Sequence, residues 1–171
     1  MKTRYPRLLL IFASLVFVFT SANGQERYKE IDLRINGIHS GSTYLSTIKK
    51  LGRPQSRTTE KVAERDSCSN IDETVVELKY EGLDIVLHGD RNGRDLRITS
   101  FEVTSGNWIA SGIKLGDTSN RVRRKFGKPE SQAFFHGSEI YYYVTPGNFG
   151  GVNFTFKNKR LVKITMSETL C

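Results

Sequence analysis

Three histidines and the carboxylates near them are the residues of this sequence that could support acid–base or metal chemistry. His39, His88 and His136 each lie near a predicted turn or strand end, and none belongs to a zinc-protease or nucleophile-elbow motif. His136 and Glu139 could form an acid–imidazole pair, but no nucleophile motif accompanies them. The segment 90–95 lacks the ligand spacing of a calcium loop. We therefore predict a non-enzymatic protein without a metal or other cofactor.

Two cysteines could support redox chemistry. Cys68 lies in a long loop of the first half, and Cys171 is the last residue. In an oxidising compartment these thiols would most simply form a disulfide bond that joins the two halves. Such a bond would close a loop of roughly a hundred residues and could stabilise the fold by up to about 4.7 kcal/mol. The alternative is a terminal thiol that stays free or links two copies of the chain.

The first 24 residues have the pattern of a secretory signal peptide. A basic start is followed by an apolar stretch over residues 8–19 and by small residues just before Gln25. We expect cleavage before Gln25, an uncleaved membrane anchor being the alternative. No cysteine near this point could carry a lipid. The mature protein is therefore predicted to lack a transmembrane anchor and to be periplasmic or secreted.

The chain is basic, with 26 Lys and Arg, 18 Asp and Glu and a net charge of +8. Three of the basic residues precede Gln25, so the mature chain carries +5. An exported protein rarely meets nucleic acid, and we predict no nucleic-acid partner. The densest basic run is Arg121, Arg123, Arg124 and Lys125. It is either a solvated helix face or a patch that attracts anionic polymers of the cell envelope.

Two segments of the chain are similar to each other at an offset of 75 residues. Residues 37–56 align with 112–131 without a gap, and eight of the twenty positions are identical, where chance would give about one. We interpret the chain as a tandem duplication, with a first repeat over residues 25–105 and a second over 106–171.

Each repeat begins with a short predicted helix. These helices cover residues 43–51 and 118–126, with Ser42 and Asp117 as N-caps. A glycine follows each helix, where left-handed backbone is common, and a proline two residues later prevents continuation. Helices of about nine residues are marginal alone, so a sheet must supply most of their stability.

Alternating apolar and polar residues after each helix predict antiparallel strands. The predicted strands are 74–80, 83–87 and 96–103 in the first repeat and 140–145, 152–156 and 160–166 in the second. Residues 31–35 could add an edge strand, and the residues between each helix and its first strand are predicted to form loops. The predicted fold class is α+β, a short helix followed by an antiparallel meander, twice, which could form one continuous curved sheet.

The residues around the second helix resemble a known family. Segment 113–129, with its Leu-Gly-Asp-Thr start and Phe-Gly-Lys-Pro end, is similar to the entry motif of the SmpA/OmlA (BamE-like) envelope proteins. Segment 151–164 is similar to the hairpin that follows in that family. The tandem arrangement resembles the β-lactamase-inhibitor-protein (BLIP) fold, in which two such units share one concave sheet. BamE-like proteins are lipoproteins anchored through an N-terminal cysteine, which this sequence lacks.

The resemblance implies a protein-binding module of the bacterial cell envelope. In strand 140–145 we expect Tyr141 and Tyr143 to point away from the core, and Thr155 of the next strand to point outward as well. Four further aromatic residues lie on predicted loops: Trp108, Phe134, Phe135 and Phe149. We predict that these seven residues contact a protein partner in the envelope or outside the cell. The alternative is that the aromatic residues only close the ends of the sheet.

Two other functions fit the same sequence. The rim loops could enter the active site of an extracellular or periplasmic hydrolase, a β-lactamase or a protease, and inhibit it. The basic run of the second helix could instead hold anionic envelope polymers electrostatically. The sequence itself indicates neither the partner nor an oligomeric state.

Overall fold

The computed structural model describes residues 29–65, 70–148 and 150–168. Within these ranges the chain forms two short α-helices, one 3-10 turn and eight strands. The elements are α1 Tyr44–Leu51, β1 Ser56–Arg65, β2 Asn70–Tyr80, β3 Leu83–Gly89, β4 Arg97–Val103, α2 Ser119–Phe126, β5 Ser131–Phe135, β6 Ser138–Val144, the turn Pro146–Asn148, β7 Gly150–Lys157 and β8 Arg160–Glu168. The predicted α+β class is confirmed. The predicted signal peptide, Cys68, Phe149 and Cys171 lie outside the described residues.

All eight strands form one antiparallel sheet in the order β1-β2-β3-β4-β8-β7-β6-β5. Each half of the chain is a helix followed by a four-stranded meander, and the two meanders meet where β4 pairs with β8. Strands β1 and β5, which were predicted as loops, are the two edges of the sheet. Every residue of β5 is exposed, and so are residues 56–61 of β1, so neither strand has the buried alternation that marks the inner strands.

Both helices begin one residue later than predicted. The N-caps are Thr43 and Thr118, whose hydroxyls accept hydrogen bonds from the backbone N–H three residues later, at 3.3 Å and 3.2 Å. The predicted caps, Ser42 and Asp117, instead accept hydrogen bonds from the N–H three residues earlier, at 3.0 Å and 2.9 Å. Their side chains therefore hold the turn that leads into each helix.

The core lies on one face of the sheet, under both helices. The ring of Phe154 on β7 lies 5.4 Å from that of Phe126 at the end of α2 and 5.6 Å from that of Tyr143 on β6. Thr47 and Ile48 of α1 lie against the same core. Because these helices have only eight residues each, burial against the sheet must supply most of their stability.

The predicted edge strand at 31–35 does not form. Ile31, Leu33 and Ile35 are buried at alternate positions, as the pattern indicated, but this segment is extended across the core side. The N–H of Ile31 donates to the carbonyl of Val144 at 2.9 Å, and Ile35 makes only isolated bridges, one of them to Ala110. The period-two pattern therefore reflects burial of an extended segment and not membership of the sheet.

Candidate protein-binding surfaces

The face of the sheet opposite the helices is covered by no other described element, and we call it the open face. One row of residues crosses this face through all eight strands. From β1 to β5 it reads Ser56, Lys79, Asp84, Glu102, Thr165, Asn153, Tyr142 and Ser131. An antiparallel sheet with one solvated face is common, so the chemistry of this face must decide whether it can bind a partner.

The first half of the open face is acidic. Glu77, Asp84 and Glu102 line a shallow hollow of about 350 Å³ together with the hydroxyl groups of three residues, Ser100, Thr165 and Ser167. The ammonium of Lys163 lies 3.0 Å from Glu102, and that of Lys79 lies 3.6 Å from Glu77. These pairs are solvent-accessible and contribute little to stability. Such a hollow suits the basic side chain of another molecule.

The second half of the open face is apolar and aromatic. Ile140, Tyr142 and Val144 of β6 are half-buried on this side, beside Asn153 and Thr155 of β7. Tyr142 lies across Gly151, and its hydroxyl is 3.4 Å from the carbonyl of Gly150. A partly exposed tyrosine beside small polar residues is typical of interface hot spots.

The predicted orientation of Tyr141 and Tyr143 is wrong. Both rings point into the core, with exposed fractions of 2% and 1%. Tyr141 pairs with Phe154 and Tyr143 with Val152, and residues directly opposite each other on neighbouring strands share a face. Since Phe154 and Val152 are fully buried in the core, the two tyrosines opposite them point into the core as well. Thr155 does lie on the open face and is half-buried there.

The other predicted aromatic contacts lie at two separate places. Phe134 and Phe135 are strongly exposed, at 77% and 63%, but they belong to edge strand β5 and not to a loop. Trp108 is half-buried, with its Nε1 donating to the carbonyl of Glu81 at 2.8 Å and its ring against Tyr80. The structure therefore places the two phenylalanines on one edge strand with their side chains on opposite faces of the sheet, and it places the tryptophan at the end of the core.

The basic run lies on the exposed side of α2. The guanidinium of Arg121 is 3.3 Å from the carboxylate of Asp117, and that of Arg123 lies 4.7 Å from the centre of the Tyr141 ring. Arg124 and Lys125 are exposed on the last turn, where cations are favoured by the helix dipole. Two of the four cations thus have structural contacts.

The three histidines lie on separate elements. Nδ1 of His88 on β3 is 2.7 Å from the carboxylate of Glu73, and Nδ1 of His39 is 2.5 Å from the carbonyl of Ser40. His136 is exposed in the turn between β5 and β6. In the described ranges, no His, Cys, Asp and Glu side chains form a group that could hold a metal ion.

A cavity of about 240 Å³ with a mixed polar and apolar lining lies between the segment at 31–40 and the end of the sheet. His39, Thr145 and Glu168 are among the residues that line it, and burial raises the pKa of the Glu168 carboxyl. The hydroxyl of Ser40 donates a hydrogen bond to Glu168. The hydroxyl of Thr145 is buried and has no hydrogen-bond partner among the described residues. No sequence motif pointed to this cavity.

The ring of Tyr142 occupies the space beside Gly151, so the effects of substitutions at these two positions should be coupled. A Cβ at position 151 would overlap the ring of Tyr142. We expect Gly151→Ala to lower the free energy of unfolding by about 1–2 kcal/mol, because the ring must leave its place. In a Tyr142→Ala background the same change should cost nothing, since the space is then empty. Urea denaturation of the four proteins measures this coupling, and equal costs in both backgrounds would contradict the contact.

The described part of the chain contains no helix with the length and apolar character needed to cross a membrane. No family model matches the sequence, and no curated protein matches it either.

Three solved structures have limited similarity to this fold. An extracellular protein containing an SCP domain from Bacillus anthracis str. Ames aligns with 75% of this chain at 9% identity and a TM-score of 0.44, and this chain spans only 44% of its length. The DUF4309 family protein YjgB from Bacillus subtilis aligns over 74% of this chain and 78% of its own at 13% identity and a TM-score of 0.39. A Streptococcus mutans protein described as a "putative beta-lactamase inhibitor protein" aligns over 74% of this chain and 82% of its own at 13% identity and a TM-score of 0.28.

Proposed function

We propose that this chain is an exported, non-enzymatic protein-binding module of the bacterial cell envelope that holds its partner on the open face. The observation that carries the proposal is the composition of that face. An acidic hollow at Glu77, Asp84 and Glu102 lies beside an apolar strip around Tyr142, within one sheet. A partner surface with basic side chains next to exposed apolar ones would be complementary to both halves.

The order of elements supports this proposal, since each half of the chain has one helix followed by four strands. Contacts recur in both halves, as with the backbone bonds from Gly41 to Ile98 and from Gly116 to Leu161, both 2.8 Å long. The glycines of these two bonds are 75 residues apart, the offset of the sequence repeat. We infer that residues 25–105 and 106–171 are two copies of one unit, as the resemblance to SmpA/OmlA and BLIP proteins implies. The role of the second copy would be to double the width of the binding sheet.

Export follows from the expected signal peptide at residues 1–24. Since a periplasmic or secreted protein is in an oxidising compartment, we also propose the disulfide between Cys68 and Cys171. N-terminal sequencing of the purified mature protein tests the cleavage of the signal peptide. Thiol titration before and after reduction tests the disulfide.

The binding proposal is tested by capture of a partner from envelope extract on immobilised residues 25–171. Thr155→Arg would place a long cation between Ile140 and Lys163 on the open face. We expect this variant to capture at least about tenfold less of the partner, because an unpaired cation that the interface buries is costly to desolvate. Leu45→Arg is the matched control, since it adds the same charge on the exposed side of α1, away from the open face and from the basic run of α2.

Undiminished capture by the Thr155→Arg variant would contradict binding on the open face. Inhibition of a β-lactamase or an envelope protease by the wild-type protein would favour the inhibitor function, and mass spectrometry of the captured material would identify the enzyme. Identification of the captured protein, together with the inhibition assay, therefore distinguishes a binding module from an inhibitor.

A second candidate function rests on α2, where Arg121, Arg123, Arg124 and Lys125 all face solvent within five residues. This patch would attract an anionic polymer of the envelope through long-range electrostatics. Such binding would weaken steeply as salt is raised. It would also be lost on reversal of charge at Arg124 and Lys125, two exposed cations of the last turn.

A further inference from the structure

The two edges of the sheet differ in their protection against pairing with another strand. Edge strand β1 carries charges along its length, among them Arg57, Glu60 and Lys61. Charged side chains on an edge discourage a further strand from adding to it. Strand β5, with the sequence Ser-Gln-Ala-Phe-Phe, has no charge and no proline. Among the described residues no strand pairs with its outer edge.

The turn after β5 determines which backbone groups point outward. His136 and Gly137 both have positive φ, at 46° and 75°, and they form a two-residue turn between the paired residues Phe135 and Ser138. The two residues that close such a turn donate and accept a backbone hydrogen bond with each other. Along the rest of the strand, every second residue bonds to the neighbouring strand in this way. Phe135, Ala133 and Ser131 therefore bond to β6. The N–H and C=O groups of Gln132 and Phe134 point to the open edge.

We propose that two copies of this chain pair through β5, antiparallel, with the two-fold axis at Ala133. In this register Gln132 of each copy lies opposite Phe134 of the other. All the outward N–H and C=O groups of these two residues are then satisfied, by four main-chain hydrogen bonds. Registers centred on Gln132 or Phe134 would pair only one of the two residues with its counterpart on β5. The dimer would extend the eight-stranded sheet to sixteen strands.

The side chains fit the same register. Gln132 and Phe134 share the core side of the sheet, so the Phe134 rings of the two copies are diagonal neighbours across the axis, within reach of each other. Their exposure of 77% in the single chain would fall on pairing. Glu130 lies opposite His136 of the second copy, which places opposite charges together when the imidazole is protonated. These features are self-complementary, so we infer a second copy as the occupant and not a strand of another protein.

The small area of the interface determines how strongly the two copies bind. A five-residue strand with two phenylalanines buries less surface than a stable interface needs. We therefore expect a reversible dimer that dissociates on dilution. The chain already joins its own halves in this way, since β4 and β8 pair antiparallel over four residues each.

Sedimentation velocity over a dilution series tests the proposal, in reducing buffer so that cysteines cannot link the copies. The wild-type chain should approach twice its monomer mass as concentration rises. Phe134→Lys should raise the dissociation constant at least about tenfold, because it places two ammonium groups next to each other on the edge. Leu45→Lys is the matched control, since Leu45 on α1 is equally exposed, at 78%, and should leave dimerisation unchanged.

A disulfide trap tests the register without altering the edge charges. With Cys68 and Cys171 changed to serine, Ala133→Cys should form a disulfide-linked dimer on mild oxidation. The two cysteines would form a non-hydrogen-bonded pair with Cα atoms about 4.5 Å apart, within the range for a disulfide. Ser131→Cys lies opposite position 135 and should not link.

A monomeric wild-type chain at all concentrations, or dimerisation unaffected by Phe134→Lys, would overturn the proposal. So would equal cross-linking at positions 131 and 133. β5 lies at the edge of the sheet, whereas Thr155 lies inside the open face. Capture of a partner can therefore fail while dimerisation persists, and dimerisation can fail while capture persists.

Discussion

Tyr143→Ala is expected to lower the free energy of unfolding by about 3–5 kcal/mol. The ring of Tyr143 is 1% exposed and lies 5.9 Å from that of Phe126 and 5.6 Å from that of Phe154. Its hydroxyl donates to the carbonyl of Gly127, the glycine that ends α2, at 2.9 Å. The substitution therefore leaves a cavity between sheet and helix and removes the partner of a helix C-terminal carbonyl.

The neighbouring Tyr142→Ala supplies the control for this prediction. Tyr142 is half-buried on the open face and covers Gly151. We expect its loss to cost only about 1 kcal/mol, because its site can fill with water. Urea denaturation at neutral pH measures both values. A larger cost for Tyr142 than for Tyr143 would mean that β6 pairs with β7 one residue out of the register described here, because such a shift exchanges the two faces of a strand.

The positions of the helices could be predicted from sequence to within one residue. Gly52 and Gly127 have φ of 80° and 89°, positive values that glycine adopts without strain, and each precedes a proline by two residues. These signals are local and occur twice, which is why the ends of both helices are correct. The caps differ from the prediction because two adjacent residues at each start can accept a backbone hydrogen bond, and tertiary contacts decide between them.

The edge strands and the candidate surfaces could not be predicted in the same way. Strand β5 is exposed on both sides, so its residues show no burial pattern, and its aromatic pair Phe134–Phe135 is equally compatible with a loop. The direction of Tyr141 and Tyr143 depends on the register between β6 and β7. The sequence Ile140–Val144 is compatible with two orientations of β6, in which one or the other set of alternate side chains faces the core. Both orientations place large apolar side chains inward. Only the pairing with Val152 and Phe154 distinguishes them.

The sheet is also expected to lose stability at alkaline pH through two buried tyrosines, Tyr80 and Tyr143, which occupy equivalent places. Their hydroxyls donate to the carbonyls of Gly52 and Gly127, at 3.1 Å and 2.9 Å. Burial raises the pKa of Tyr143 to about 12, in spite of the opposing charge of Arg123. Burial, together with the nearby Tyr44, also raises the pKa of Tyr80.

The sign of this effect follows from proton linkage. In the unfolded chain a tyrosine loses its proton near pH 10, whereas folded Tyr143 holds it until about pH 12. The stability that this proton provides is complete below pH 10 and is lost as the pH rises from 10 to 12. For a difference of two units the loss is about 2–3 kcal/mol. Denaturation in urea at successive pH values from 8 to 12 should show it as a falling free energy of unfolding.

Tyr143→Phe separates this effect from the general loss of stability at high pH. The variant should be about 1 kcal/mol less stable than the wild type at pH 8, because the carbonyl of Gly127 loses its donor. Its free energy of unfolding should then fall less steeply above pH 10, so that the two curves converge or cross. Tyr142→Phe is the matched control, since it removes a hydroxyl that does not bond to a helix end. If Tyr143→Phe and wild type fell in parallel up to pH 12, the buried hydroxyl would not be the group responsible, and lysine deprotonation with loss of surface ion pairs would explain the alkaline transition instead.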